Sequence, residues 1–418
     1  MNKKVDERLP RNSGKKILPS YAAIRSPWEK IICYRDAMHF VSRYNSVISA
    51  TIMQAFRIMI PDYEERAVLM CEEAYAKGYN NHLRLDPSGQ YNNAILKDNI
   101  HPFCRGNFVG AIEGDIGDEA LLMCGRVNDF GTYRCEKELD VCDWDIVGTE
   151  LCRATTASLQ GACDAMGDAL LKGPRLEYTM CEAKGCGDRH CRVVAESREK
   201  YPLPERENWQ RFGPIATADY IKYTPDEECV TESEFFRREC NYTYSSGTNV
   251  EQDDSSASFN AFSSAGTWYL LPEINYAIQK NVIDEKFADH VLKCVCEAAG
   301  KAAFGEQFSK EALRIWLGVP RTIGDDDGRV LGGYIEMYLQ CMTVPYEVEA
   351  FNEKEVIYVI DRHRLSLNQP KFVDCLLSYW YGISKTLINS GWAVWEEPNE
   401  NSDSLLRLKI AKKIDKFC

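Results

Sequence analysis

The chain has 418 residues, of which 45% are hydrophobic and 11% aromatic, and its formal net charge at pH 7 is −13. This composition excludes a disordered chain and gives enough length for two or three globular domains. So acidic a surface repels phosphate backbones, which argues against general nucleic-acid binding. The first residues contain no apolar signal segment, so we expect a cytoplasmic protein whose cysteines are reduced.

The first predicted elements are two helices that follow a basic N-terminal tail, residues 1–25. Apolar side chains recur every three to four residues from Phe40 to Met59, a spacing that predicts an amphipathic helix ended by Pro61. Polar residues interrupt this apolar stretch, so it does not predict a membrane span. Asp62 is a suitable N-cap for a second helix, in which Ala67 and Met70 lie on the buried face.

A mixed α+β pattern follows this helical pair and completes a cysteine-rich half, residues 26–200. Four elements are predicted in it, namely a strand at Ala120–Cys124, a long helix at Asp145–Leu171, and strands at Leu176–Cys181 and Cys191–Ala195. The polar residues 201–262, rich in Ser and Asp, indicate a linker or an insertion.

The second half, residues 263–418, repeats this order of elements at an offset of about 220 residues. A helix through Phe287 and Val291 matches the second helix of the first half. A strand at Glu355–Ile360, a helix from Phe372 to Leu387 and two terminal strands follow it. The sequence therefore predicts an α+β fold of two related halves, each a helical pair followed by a mixed α+β ligand-binding domain.

The cysteines are concentrated in the first half, where Cys181, Cys186 and Cys191 surround a turn that contains Gly185 and Gly187. The glycines allow a tight backbone path, and soft thiolates are suited to zinc or iron. A further ligand would come from the segment that holds Cys142 and Cys152. Two alternatives remain open. The cysteines are inert core residues, or one is a metal-free reactive thiol activated by Arg189, His190 and Arg192.

The run Gly187-Asp188-Arg189-His190-Cys191-Arg192-Val193 resembles the end of the 4-vinyl reductase-like domain, the effector-sensing module of aromatic-responsive bacterial activators. The resemblance implies a zinc ion in contact with Cys142 and Cys191. The family's strand cysteine falls on Ala183, next to Glu182, so Cys181 or Cys186 would take its place. The layout of a helix followed by C-terminal strands is also similar to the L-2-amino-thiazoline-4-carboxylate hydrolase family.

These observations predict a small-molecule enzyme of hydrolase or lyase type that acts on a small heterocyclic or carbonyl-like substrate. The predicted ligands of zinc or iron are Cys142, Cys181 and Cys191, and the predicted catalytic residues are His190, Glu182 and Cys186. The alternative is a non-catalytic small-molecule-binding or sensory module with a structural zinc. The expected partner is a small molecule, with neither nucleic acid nor membrane, and a homo-oligomer is left open.

Overall fold

A computed structural model gives the fold. It describes residues 23–85, 126–129, 134–139, 142, 144–170, 176–197, 269–304, 309–342, 344–366, 369–389, 391–398 and 404–412. The predicted strand at Ala120–Cys124, the linker at 201–262 and most of the N-terminal tail lie outside these ranges. Within them, no helix has both the length and the apolar character needed to cross a bilayer.

The helices and strands are numbered here in chain order. They are β1 (Ala23–Arg25), β2 (Ile31–Cys33), α1 (Tyr34–Met59), α2 (Tyr63–Leu85), β3 (Arg126–Asp129), β4 (Arg134–Leu139), α3 (Thr149–Leu170), β5 (Leu176–Glu182), β6 (Cys191–Ser197), α4 (Leu271–Gln279), α5 (Glu285–Ala302), α6 (Lys310–Leu317), α7 (Arg329–Cys341), β7 (Tyr346–Phe351), β8 (Glu355–Asp361), α8 (Arg362–Ser366), α9 (Pro370–Ile383), β9 (Trp392–Glu397) and β10 (Leu405–Lys412). A 3₁₀ turn spans Lys184–Cys186, and a π-helical turn spans Ser384–Ile388.

The chain divides into two compact units. Among the described residues, the cysteine unit lies between residues 60 and 282. The C-terminal unit takes in residues 23–59 together with those from 283 onward. Helix α1 therefore groups with the C-terminal residues, whereas the sequence pattern placed it in the first half. Its apolar stripe packs against α5 and α7, and Ile52 and Phe56 of this stripe are fully buried.

The cysteine unit pairs α2 with α3 and adds an antiparallel sheet of order β3-β4-β6-β5. Asp62 caps α2 as predicted, because its Oδ1 accepts a hydrogen bond from the Glu65 backbone N–H at 2.8 Å. The two helix backbones touch at Gly78, where an added Cβ would lie 1.9 Å from the carbonyl oxygen of Ser158. Helix α4 packs on the same helix α2.

The C-terminal unit pairs α5 with α9 and has an antiparallel sheet of order β7-β8-β10-β9. Asp284 caps α5 by accepting a hydrogen bond from the Phe287 backbone N–H at 2.9 Å. The two helices also meet at glycines, since a Cβ on Gly300 would lie 2.1 Å from the Tyr379 carbonyl oxygen. Trp380 is fully buried in this unit.

Both sheets have the same strand arrangement. In each, the fourth strand along the chain lies between the second and the third, and a helix, α3 or α9, stands between the second and third strands in sequence. The α+β class is thus observed in both units.

Candidate functional site

Four thiols of the cysteine unit form two hydrogen-bonded pairs, which we call the thiol cluster. The side chains of Cys142 and Cys191 hydrogen-bond each other, as do those of Cys152 and Cys186. Cys142 and Cys191 also act electrostatically on Cys152, so the two pairs are neighbours. Cys191 is buried, the other three are half-buried, and all are free thiols.

The cluster gathers at the N-terminal end of α3. Cys142 begins a turn before the helix, in which its carbonyl oxygen accepts a hydrogen bond from the Asp145 N–H at 3.2 Å. Cys152 lies in the first helical turn, Cys186 ends the 3₁₀ turn, and Cys191 begins β6. The positive end of the helix dipole favours negative charge at this position, which suits thiolates.

Glycines allow the turn between β5 and β6 to approach α3. A Cβ on Gly185 would lie 2.7 Å from Cys152 Sγ and 3.2 Å from the Gly148 carbonyl oxygen, so only glycine fits without displacement. Gly187 has a φ of +92°, in the left-handed region that favours glycine. The tight backbone path predicted for these two glycines is confirmed.

Hydrogen bonds give the thiols of the cluster different pKa values. The Cys142 thiol donates to Cys191, and the Lys184 backbone N–H donates to Cys191 Sγ at 3.3 Å. These donors lower the pKa of Cys191 to about 7, against the opposing effect of burial. The same thiol–thiol bond raises the pKa of Cys142, and the bond to Cys186, together with burial, raises that of Cys152. Cys191 therefore ionises before Cys142 and Cys152.

Cys181, a predicted metal ligand, is buried in β5. The register of the β5–β6 pair shifts between Met180 and Glu182, which makes Cys181 the extra residue of a β-bulge. Its Sγ lies 4.0 Å from the Thr179 carbonyl oxygen. The sequence analysis named Cys142 and Cys152 as sources of a further metal ligand. In the structure, Cys152 belongs to the thiol cluster, because its side chain hydrogen-bonds that of Cys186.

Two predicted catalytic residues are in direct contact. His190 Nε2 lies 2.6 Å from Glu182 Oε2, and both side chains are about one-third exposed, at 34%. Arg192 Nε lies 3.7 Å from the same oxygen. The contact lies between the end of β5 and the residue that precedes β6. An imidazole in contact with a carboxylate has the chemistry to accept or donate a proton.

The donor set of the thiol cluster fits a soft metal, although its present geometry is not that of a metal centre. Within the described ranges, no group of three or more His, Cys, Asp or Glu side chains is disposed to hold a metal ion. The four thiols are held as two pairs, so binding one ion would require both pairs to close on it. Thiolate sulfurs are the preferred ligands of zinc and of iron in such sites.

Comparison with known proteins gives no relative. No protein-family model, no curated protein and no solved structure matches the chain. The resemblance to the 4-vinyl reductase-like domain and to the thiazoline carboxylate hydrolase family therefore stays a prediction from the Gly187–Val193 run and the cysteine positions.

The C-terminal unit carries a groove of about 1130 Å³ on and beside its sheet. The groove contains both charge signs next to aromatic rings. These charges compensate one another, because Lys409 Nζ lies 3.1 Å from Glu355 and Lys412 Nζ lies 3.4 Å from Asp326. Asp326 also accepts from Trp392 Nε1 at 2.9 Å. The acidic loop Gly324–Gly328 thus takes part in internal ion pairs and hydrogen bonds.

Proposed function

We propose that the cysteine unit is a small-molecule-binding module built on a four-thiolate metal centre, with Cys142, Cys152, Cys186 and Cys191 as ligands of zinc or iron. The observation that carries the proposal is the convergence of these four thiols at the start of α3. The backbone N–H of Lys184 already donates to Cys191 Sγ, an outer hydrogen bond of the kind that orients metal ligands.

A set of four protein thiolates supports a binding role over metal-based catalysis. A structural zinc has all its positions filled by protein, whereas a catalytic zinc keeps one position open for water or substrate. Four cysteines would fill a tetrahedral site. The metal would then fix the β5–β6 turn on α3 and shape a ligand pocket beside this helix. Reduced thiols of this kind require a reducing compartment, so we place the protein in the cytoplasm.

We further propose that the two units arose by internal duplication. The shared strand order, the shared position of the helix between the second and third strands, and the glycine contacts of both helix pairs support it. In this proposal the C-terminal unit lost the cysteines of the site. Its own buried thiol pair, Cys296 and Cys375, lies instead between α5 and α9.

Metal content tests the proposed centre. Protein purified without oxygen is expected to contain about one zinc or iron per chain by elemental analysis, and Cys152→Ala is expected to lose most of it, because three ligands hold a metal less tightly than four. Cys191→Ala should behave in the same way. Cys181→Ala is the matched control, since it removes a buried thiol of the adjacent strand and should keep the metal.

Two results would contradict the four-thiolate centre. One is wild-type protein with no zinc or iron above background. The other is loss of metal in Cys181→Ala with full retention in Cys152→Ala, which would favour the ligand set Cys142, Cys181 and Cys191.

A hydrolase or lyase is the second candidate function, and the contact between His190 and Glu182 favours it. In this candidate His190, oriented by Glu182, would move a proton at the reacting atom of a small heterocyclic or carbonyl-like substrate, with Cys186 as the nearby thiol. It predicts that a compound consumed by the wild type in an anaerobic metabolite screen is turned over about 10²–10⁴ times more slowly by His190→Gln and by Glu182→Gln.

Glu64→Gln is the matched control for this test, because it neutralises a carboxylate of the same unit that is 70% exposed and pairs with Arg153, outside the contact. It should leave turnover unchanged. Saturable binding of a compound with no chemical change by the wild type would instead support the binding module.

A further inference from the structure

A second group of ionisable side chains is buried in the cysteine unit, between α4 and α2. Glu273 of α4 is 0% exposed, and Glu73 and Lys77 of α2 are 4% and 1% exposed. Both α2 residues are close enough to act electrostatically on Glu273, the carboxylate unfavourably and the ammonium favourably. Glu273 thus lies near one carboxylate and one ammonium in a buried site.

Glu273 lacks the hydrogen bonds that a buried carboxylate needs. Within the part of the chain that the structure describes, no donor reaches either of its oxygens. A buried carboxylate without donors is costly, and such a group usually takes up a proton instead of remaining charged. One proton would remove the excess negative charge and supply a donor.

The groups around Glu273 show which contacts hold α4 in place. From α2, Cys71 faces the same region beside Glu73 and Lys77. Tyr269, just before α4, is buried, and its hydroxyl hydrogen-bonds Ser158 and Thr155 of α3. Tyr276 of α4 donates to Glu72 Oε2 at 2.9 Å. Tyr269 and Tyr276 thus have hydrogen-bond partners, whereas the oxygens of Glu273 have none among the described residues.

We propose that Glu273 carries a bound proton, and that this proton holds α4 on α2, so that docking of the helix depends on pH. The site would take up a proton from neutral solution as α4 docks. It would release the proton, and the helix, as the pH rises.

The direction of the pH dependence follows from the reason that the pKa of Glu273 is raised. Burial raises the pKa of Glu273 well above its ordinary value of 4.5, repulsion by Glu73 raises it further, and Lys77 partly opposes both. A carboxyl whose pKa is raised in the docked state contributes most to docking below its ordinary pKa. The contribution is lost as the pH rises towards the raised value, by up to about tenfold in the docking equilibrium per pH unit for one proton.

Hydrogen exchange of the full chain tests this dependence. The protection factors of the α4 amides, corrected for intrinsic exchange, are expected to fall with rising pH by up to about tenfold per unit. Glu273→Gln mimics the protonated acid, so it should abolish the slope and raise protection at pH 8. Tyr276→Phe is the matched control. It removes the hydrogen bond to Glu72 and should lower protection equally at all pH values.

Infrared spectroscopy of the wild type gives a second readout that needs no variant to fold. The carbonyl stretch of a protonated carboxylic acid should be present at pH 7.5 and should decline as the pH is raised, in parallel with the protection of α4. A wild type without this band, or with α4 protection independent of pH, would overturn the proposal. So would a Glu273→Gln protein that keeps the wild-type slope.

Discussion

Replacement of Arg66 by methionine is expected to lower the free energy of unfolding by about 3–5 kcal/mol, the usual cost of breaking a buried ion pair. Arg66 Nη2 lies 2.7 Å from Glu150 Oε1, and the two side chains are only 5% and 2% exposed. The guanidinium also donates to the Ile60 carbonyl oxygen at 2.5 Å. Arg66→Met would leave the Glu150 carboxylate buried without its cation.

Chemical denaturation followed by circular dichroism measures this loss, and Arg153→Met is its control. Arg153 forms a comparable pair with Glu64 at 3.3 Å between the same two helices, but Glu64 is 70% exposed. Solvent screens that pair, so its loss should cost less than about 1 kcal/mol. The double replacement Arg66→Met with Glu150→Leu should recover much of the stability. Equal losses from the two single arginine variants would contradict the assignment.

Gly78 and Gly300 lie at the two helix crossings. Replacement of either by alanine is expected to lower the free energy of unfolding of its unit by about 1–3 kcal/mol or more, the range for forced overpacking. At an open helical position Gly→Ala stabilises by about 1 kcal/mol. At Gly78 and Gly300 the sign reverses, because the new methyl group would meet a backbone carbonyl of the partner helix that cannot rotate away. The helices would have to separate.

Thermal or urea unfolding of Gly78→Ala and Gly300→Ala measures the effect. Gly324→Ala is the control, because the nearest atom to its added Cβ, the Asp326 backbone nitrogen, is 4.0 Å away. It should change stability by no more than about 0.5 kcal/mol. An increase in stability at Gly78 or Gly300 would mean that the helix backbones do not touch there.

The elements predicted from the sequence are those with strong periodicity or clear end signals. Helices α1, α2, α3, α5 and α9 and strands β5, β6, β8, β9 and β10 were all predicted. The short strand β4 was missed because Arg134–Leu139 is mostly charged, and α7 was missed because Gly332 and Gly333 interrupt its apolar pattern. Tertiary packing overrides local preference in both.

The candidate site was predicted where it is local in sequence and missed where it depends on packing. The glycine turn is local, and Gly185 and Gly187 indicated it from the sequence. Glu182 and His190 were each predicted as catalytic residues, but the contact between their side chains was not predicted. The pairing of Cys152 with Cys186 depends on the turn docking on α3. Glu73 and Glu273 are far apart in the chain, and no short-range pattern links them.

The division of the chain has a consequence for how the protein is made on the ribosome. Helix α1 belongs with residues that follow the whole cysteine unit, so its partner helices do not yet exist when it leaves the exit tunnel. At synthesis rates of about 5–20 residues per second, the wait is about 10–45 s. The cysteine unit is complete first. During this interval the apolar stripe of α1 is a target for chaperones, and a pause in translation between residues 60 and 282 would prolong its exposure.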